Sequence, residues 1–566
     1  MNNYKFLIKI TGQFLFVIVI IFFSTLNAKN IDKFYKSEPI ADYFSGILLL
    51  NQNKYEDSYK YLKKLDGLEK NHQSYATKYL YALVNSGNFN LAVNFAKKLE
   101  KEQKDSFESD LVIGVFNLKN LKFEISKKYF LKAKQRYSRT VIDNYVARSL
   151  YNWSNLDSGE LEKALNDLRG LDDRFESLKK IQNTFLHCYF DSDKTKFVFE
   201  KLLSNQDTDF SRYNYFFAKY LFSKGEKVLA KTATQNSLKK YPRNLLLNQF
   251  EIDLKNKVNN FEFDCKKIDH VVAEILYITA NALSSQSAFA LSNFYLNLSK
   301  YLNKNFHAFD TLLAENLYKI DDFSNAKKIY QKLKKNGEAF EWYSNKQISR
   351  IFILQGEREK GVSLLNNAYK NLYFKGVYQM FDYAEFLKNN ERFSESIQYY
   401  TKILDIIDKD HQLYPEVTDG RGVSFERIGE WDKAEKDLLA SLEVSPNQAY
   451  VINYLAYSWI EKGLQIEKSL SMLEKANQLK SNDPYIIDSL GWALFKLKRY
   501  NESKKYLQLA VSLMPSDPIV NDHYGDVLWK NGNEIQARYY WNYVLNLEKA
   551  EKDLKEKIEQ KLIKGL

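Results

Sequence analysis

Apolar residues along this chain recur at helical spacing, three and four apart, and small residues punctuate them at a nearly fixed period. From Gly422 the small column runs forward through Ala456, Gly491 and Gly525 at steps of 34, 35 and 34. Backward it runs through Ala384, Ser349, Ala314 and Ala280 at steps of 38, 35, 35 and 34. Gly46, Leu80 and Gly114, spaced by 34, occupy the same frame, as does Ala218. A second column follows twelve residues later: Ser58, Ala92, Ser126, Ala230, Ser292, Ala326, Gly361, Ser396, Ala434, Ser503 and Ala537, with Ser469 displaced by one residue. Two antiparallel helices approach closely only where neither presents a large side chain, so the columns predict one helical hairpin per period.

Large residues fill the spaces between. Tyr55, Phe89, Phe123, Phe323, Phe393, Trp431 and Tyr500 precede the second column; Leu62, Phe130, Leu296, Tyr330, Tyr400, Leu438, Leu507 and Trp541 follow it. Burying one such side chain stabilises by about 1.5–3 kcal/mol, enough to hold a hairpin on its neighbour. All seven prolines (Pro39, Pro242, Pro415, Pro446, Pro484, Pro515 and Pro518) fall at the first or thirty-second position of the frame. Those are helix starts and breaks, where a missing N–H costs little.

This order of small, aromatic, small and proline positions resembles the tetratricopeptide repeat. The match is best over 422–547, for example DSLGWALFKLKRYNESKKYLQLAVSLMP at 488–515. The resemblance implies an all-α, right-handed superhelical solenoid of roughly 12–14 helical hairpins. On this frame an N-terminal array covers 30–242 and is degenerate at 134–210, where two irregular repeats fit. An irregular helical junction at 243–272 lacks the small columns and predicts a break or bend. A C-terminal array covers 273–548, with a longer loop within 408–418. In the tail, 549–566, Leu554, Ile558 and Leu562 lie one turn apart and predict an amphipathic helix capping the last repeat.

The N-terminus carries a different pattern. Lys5 and Lys9 precede an uncharged stretch at 10–28, whose apolar run FLFVIVIIFF occupies 14–23. Such a run is short of the roughly twenty residues of a spanning helix and fits the centre of a secretory signal. Residues 1–28 thus read as a signal peptide ending near Ala28, or as an uncleaved signal anchor through 10–28. Both place residues 30–566 outside the cytoplasm, periplasmic or membrane-anchored and facing the periplasm.

Net charge is +12, but 83 basic residues are interleaved with 71 acidic ones, without a long basic block. A solvated helical surface is the favoured reading, so nucleic acid is not the expected partner; a nucleic-acid-binding helical repeat is kept as an alternative. Cys188 and Cys265 form no CxxC and read as two small buried residues; a disulfide between them is the alternative open to an exported chain. The six histidines show no metal spacing, and no phosphate-binding glycine loop or nucleophile turn appears. No catalytic residue, metal or cofactor is predicted, and the chain is not read as an enzyme. A glycan-binding or enzymatic envelope factor with a site in the irregular 134–272 region is the second alternative.

The tetratricopeptide resemblance also implies a binding surface, since the first helix of each repeat lines a concave face. The positions exposed there are Asp419, Glu426, Asn453, Tyr457, Asp488, Trp492, Asp522, Asp526 and Trp529, with Lys496 and Lys530 nearby. Acidic and aromatic groups alternate, as a groove for an extended polypeptide requires. The competing reading packs Trp492 and Trp529 between repeats and uses the aspartates near helix starts as caps. Whole-chain order, with DSLGW at 488–492 and NDHYGD at 521–526, resembles exported bacterial multi-tetratricopeptide proteins. That group includes the lipoprotein partner of a periplasmic carboxy-terminal processing protease. The resemblance implies a scaffold or adaptor for other proteins, with such a protease among its partners; no cysteine for lipid attachment follows the apolar run.

Overall fold

The computed structural model describes residues 37–136, 140–156, 160–205, 208–258, 262–373 and 375–566. The signal expected at 1–28 lies outside them. Among the described residues there are thirty α-helices and no strand. Twenty-eight of the helices pair into fourteen hairpins; Leu245–Lys255 and the tail helix Lys552–Lys564 stand singly. Both residues of every small-column pair named above are buried. No described helix is long and apolar enough to cross a membrane.

The columns do more than keep helices close. At four of the six second-column serines the hydroxyl donates to the first-column carbonyl twelve residues back; Ser396 donates instead to the Phe393 carbonyl, and Ser469 Oγ meets no partner among the described residues. Ser58 reaches Gly46 at 2.8 Å, Ser126 reaches Gly114 at 2.9 Å, Ser292 reaches Ala280 at 2.7 Å and Ser503 reaches Gly491 at 2.7 Å. In those four hairpins the small hydroxyl satisfies its own hydrogen bond, where an unpaired one would be costly. The first column is small because the large residue sixteen positions later lies on it: a Cβ on Gly491 would stand 2.7 Å from Leu507 Cγ. Asp483 and Asp517 accept from N–H groups of the first helical turn, and Pro484 and Pro518 open the helices behind them.

The chain forms two compact units, divided between Gly337 and Glu338. This differs from a division at 243–272, and the reason lies in helix Ile268–Ser285. Residues 270–276 are buried without interruption, so the helix is covered on every side rather than along one stripe. With its partner Phe289–Leu302 it packs on the first helices of earlier hairpins, Gln73–Asn85, Phe107–Lys119 and Val141–Ser154. Tyr81 stacks on Phe294 with centroids 4.6 Å apart, and Phe89 stacks on Tyr301 at 3.7 Å. Lys119 pairs with Asp269 at 3.0 Å. Arg212 donates to both carboxylate oxygens of Glu274, at 2.7 and 2.9 Å, beneath the ring of Tyr277. The hairpin following the junction thus completes the first unit instead of beginning the second.

The two cysteines require a correction. Cys188 and Cys265 are not independent apolar residues; they form a disulfide across 77 positions, with Cα atoms 6.0 Å apart. It ties the segment entering the buried helix to helix Glu176–Tyr189.

The second unit comprises six hairpins and the tail helix. Its cores repeat along the chain, from Trp342–Tyr369–Tyr383–Tyr400 to Leu507–Trp541–Val544.

Candidate functional site

The residues expected on the concave face all lie on four successive first helices: Tyr414–Arg427, Ala449–Glu461, Pro484–Lys496 and Pro518–Lys530. The structure separates them into two groups by what surrounds them.

Asp488, Trp492, Asp522 and Asp526 are buried and engaged. The Asp488 carboxylate faces His523 Nδ1 at 3.0 and 3.2 Å. The Trp492 ring lies parallel to the His523 ring with centroids 3.9 Å apart, and its Nε1 donates to Glu461 at 2.6 Å. Burial opposes charge on His523, but Asp488, then Asp522 and Asp526, outweigh it and hold the imidazole above its ordinary pKa. One hairpin further, Lys561 of the tail helix lies 2.6 Å from Asp522 and 2.8 Å from both oxygens of Asp526. Trp541 Nε1 adds a donor to Asp526 at 3.0 Å. Burial, and then Asp522, still push the Asp526 carboxyl up to about 6. Trp529, half-buried, lies against Trp541 with centroids 5.4 Å apart and beneath Arg538 at 4.6 Å.

Asp419, Glu426, Asn453 and Tyr457 are half-buried and far less committed. Glu426 accepts from the Tyr454 hydroxyl at 2.8 Å. The Asp419 carboxylate has no hydrogen bond or ion pair among the described residues, and burial pushes it up to about 6. Lys388, the cation that acts on it, is held by Glu385 at 2.8 Å. Asn453 Oδ1 is buried and meets no donor among the described residues. Asp419 and Asn453 hold the same frame position, 34 residues apart, in consecutive hairpins. Burial also raises the Tyr457 hydroxyl above its ordinary pKa.

His523 and Lys561 were absent from the sequence-derived set. The signal for His523 is positional. It stands one residue beyond the Asp522 frame position, where a first helix meets the Asp488 and Trp492 of the preceding one. Lys561 makes the same kind of approach to Asp522 and Asp526 from the tail.

No protein-family model matches the chain. A curated relative, the TPR repeat-containing protein PA4667 of Pseudomonas aeruginosa, is 27% identical over 146 residues. That match covers 25% of this chain and 23% of the relative, so the chain spans under a quarter of the relative's length. Fourteen hairpins, twelve of them built on the paired columns, agree with a relative that bears this repeat over part of its length, and the architecture follows. The fold is a tetratricopeptide-repeat solenoid. Among solved structures, MamA 41-end from Desulfovibrio magneticus RS-1 is 17% identical with a TM-score of 0.27, covering 31% of this chain and 97% of its own. A thermophilic TPR protein of Thermus thermophilus is 14% identical with a TM-score of 0.29, covering 33% of this chain and 100% of its own. Scores this low carry no functional argument.

The irregular region also consists of tetratricopeptide-like hairpins, but with short second helices. Leu161–Arg169 and Thr195–Leu203 have 9 residues each, and between them lies a cleft of about 470 Å³. Leu165, Leu168, Val198 and Leu202 line it, with Arg169, Lys180 and Lys201 also on its wall. No metal-ligating cluster occurs among the described residues.

Proposed function

We propose that this chain is an exported, non-enzymatic scaffold that holds extended polypeptide segments against the concave face of its second unit. Asn453 and Asp419 carry the reading: a buried carbonyl oxygen without a donor and, at the equivalent position of the preceding repeat, a half-buried carboxylate without a hydrogen bond or ion pair among the described residues. An acceptor left unpaired in a protein interior costs free energy, and a bound chain's N–H or ammonium groups would recover it. Tyr457 beside them supplies aromatic contact area, while Asp488, Trp492 and His523 hold the neighbouring helices in register.

Export is supported by the charged, apolar and small sequence of residues 1–28 and by the Cys188–Cys265 disulfide, which persists in oxidising compartments. Its narrower form places the chain in the bacterial envelope, presenting substrates to a periplasmic carboxy-terminal processing protease, and rests on the whole-chain resemblance.

The test is site-specific photocrosslinking in envelope extract. A photoreactive residue in place of Tyr457 should yield discrete protein adducts, and one in place of the outward-facing Tyr506 should not. Adducts should fade when Asp419→Ala and Asn453→Ala are added. Equal labelling from the two positions refutes the groove. Cell fractionation tests export: a chain found wholly in the cytoplasm refutes that part.

A further inference from the structure

The tail helix Lys552–Lys564 imitates the first helix of a further repeat. Between the last two hairpins, His523 approaches Asp488 and stacks on Trp492. At the end of the array Lys561 takes the corresponding place, between Asp522 and Asp526. Ile558 is fully buried against the last core, with Leu554 and Leu562 packed at its edge. The chain then ends over the last first helix: Gly565 lies against the Trp529 ring, and Lys530 donates to the Leu566 carbonyl at 3.1 Å.

The hold of this helix is slight. Ile558 alone of its 13 residues is buried, against ten of 13 in Pro518–Lys530. Ile563 is 78% exposed, and Glu551 offers no side-chain cap to the helix start. The surface beneath it is more definite than the helix itself. It consists of two buried carboxylates, one fixed by the Trp541 indole, beside an apolar wall. A helix with so few buried contacts opens far more readily than its neighbours.

We infer that the last hairpin is a docking surface for a lysine-bearing amphipathic helix of a partner protein, with the tail helix as its resident, exchangeable occupant. The tail itself gives the pattern such a partner would carry: apolar residues seven and three positions before the lysine and one after it. Before and after exchange the end of the array is covered, as a repeat array requires. The inference rests on the reading that the second unit holds polypeptides, and it assigns the chemistry of one binding position.

The experiment uses the full-length chain and a fluorescent synthetic peptide of residues 549–566, read by anisotropy. An Ile558→Asp chain, whose own tail is loosened, should bind the peptide at least about tenfold more tightly than the unaltered chain, because the resident helix taxes the competent state. A peptide carrying Lys561→Glu should lose at least about tenfold, since like charge against a buried acidic pair is repelled. Equal binding by both chains, or by both peptides, overturns the inference. Hydrogen exchange on the unaltered chain is the second measurement, should Ile558→Asp unfold the unit. Amides of the tail helix should exchange at least about a hundredfold faster than those of Glu534–Leu545, and equal rates overturn the exchangeable cap. Crosslinking from the Tyr457 position separates the two readings. Adducts there without peptide docking refute only the tail site, and docking without adducts refutes only the groove.

Discussion

The first unit and the second unit use the same hairpin but treat their rows of first helices differently. In the first, helices Ile268–Ser285 and Phe289–Leu302 lie across the row and bring their own partners: Glu274 for Arg212, Asp269 for Lys119, Phe294 for Tyr81. In the second, no described helix of that unit crosses Tyr414–Arg427 or Ala449–Glu461; Asn453 keeps a buried acceptor unmatched, and the half-buried Asp419 carboxylate has no partner among the described residues. A row whose charged groups meet opposite charges within the chain is structural, even though single polar atoms such as Asn85 Nδ2 stay without a partner. A row with an acceptor lacking a donor bears a standing cost that a ligand can relieve, which is why we propose the second unit as the one that binds.

The largest effect that would test this contrast comes from Glu274. Replacing it by glutamine leaves Arg212 charged and unpaired in a dry site, at a cost of about 3–5 kcal/mol to the first unit. Hydrogen exchange should show lost protection over Ile268–Ser285 and its neighbours, with 414–566 unchanged. A loss below about 1 kcal/mol would mean that water reaches the pair, and the filled row would no longer be a dry core. Next in size is the disulfide. Opening the Cys188–Cys265 loop should cost the first unit about 2–4 kcal/mol through the freedom returned to the unfolded chain. Denaturant melting with and without reductant measures it, and a loss shared by both units would contradict their independence.

What the sequence made legible follows from the range of the forces involved. Ser503 and Gly491 lie twelve residues apart within one hairpin, so steric necessity fixes both and leaves a periodic trace. Ile558 was readable for the same reason, since Leu554, Ile558 and Leu562 mark one helix face. Arg212 and Glu274 meet across 62 positions, and nothing in either neighbourhood names the other. The junction at 243–272 showed only that the columns lapse; that the next hairpin packs backward depends on surfaces supplied by residues 73–154. At the candidate site the frame placed Asp488 and Trp492 on the right helix and left open whether Trp492 faces the groove or packs between repeats; it packs, and Asp488 is buried with it. Burial is set by His523 of the following repeat, 35 residues from Asp488. Only Asp419, Glu426, Asn453 and Tyr457 remain along the face as a ligand would meet them.

Neutralising an acid should have the opposite sign in the second unit. The Asp419 carboxyl sits at about 6, above its unfolded value, so its charged form is penalised in the folded chain at neutral pH. Asp419→Asn should therefore stabilise the second unit by about 2 kcal/mol near pH 7.5, with the gain fading towards pH 4 as the native residue protonates. The same substitution should weaken crosslinking from the Tyr457 position. Lost stability at neutral pH would show that Asp419 already has a partner and would remove the main support for the groove.

The smallest effect expected is the share of the second unit's pH dependence that His523 carries, about 1–2 kcal/mol between pH 5 and 8. His523 is held above its ordinary value by Asp488, against burial, so its stabilisation is full below about pH 6.5 and is lost as pH rises through the raised folded value. Asp526, pushed up to about 6, acts in the same direction: its charged form becomes costly as pH climbs towards 6. The second unit should therefore weaken on going from acid to mildly alkaline solution. The histidines of the first unit run the other way. Burial lowers His187, His270 and His307, so protonating them below pH 6.5 costs stability, while Glu262 and Asp110, raised by burial to about 7 and about 6, act in the opposite sense. His523→Gln should flatten the second unit's profile above pH 6.5 and leave its slope below 6 intact. Denaturant midpoints at several pH values, read from amides of Pro518–Lys530 by hydrogen exchange, decide it. An unaltered slope above 6.5 would remove the charged His523–Asp488 contact from the account of how these two helices are held together.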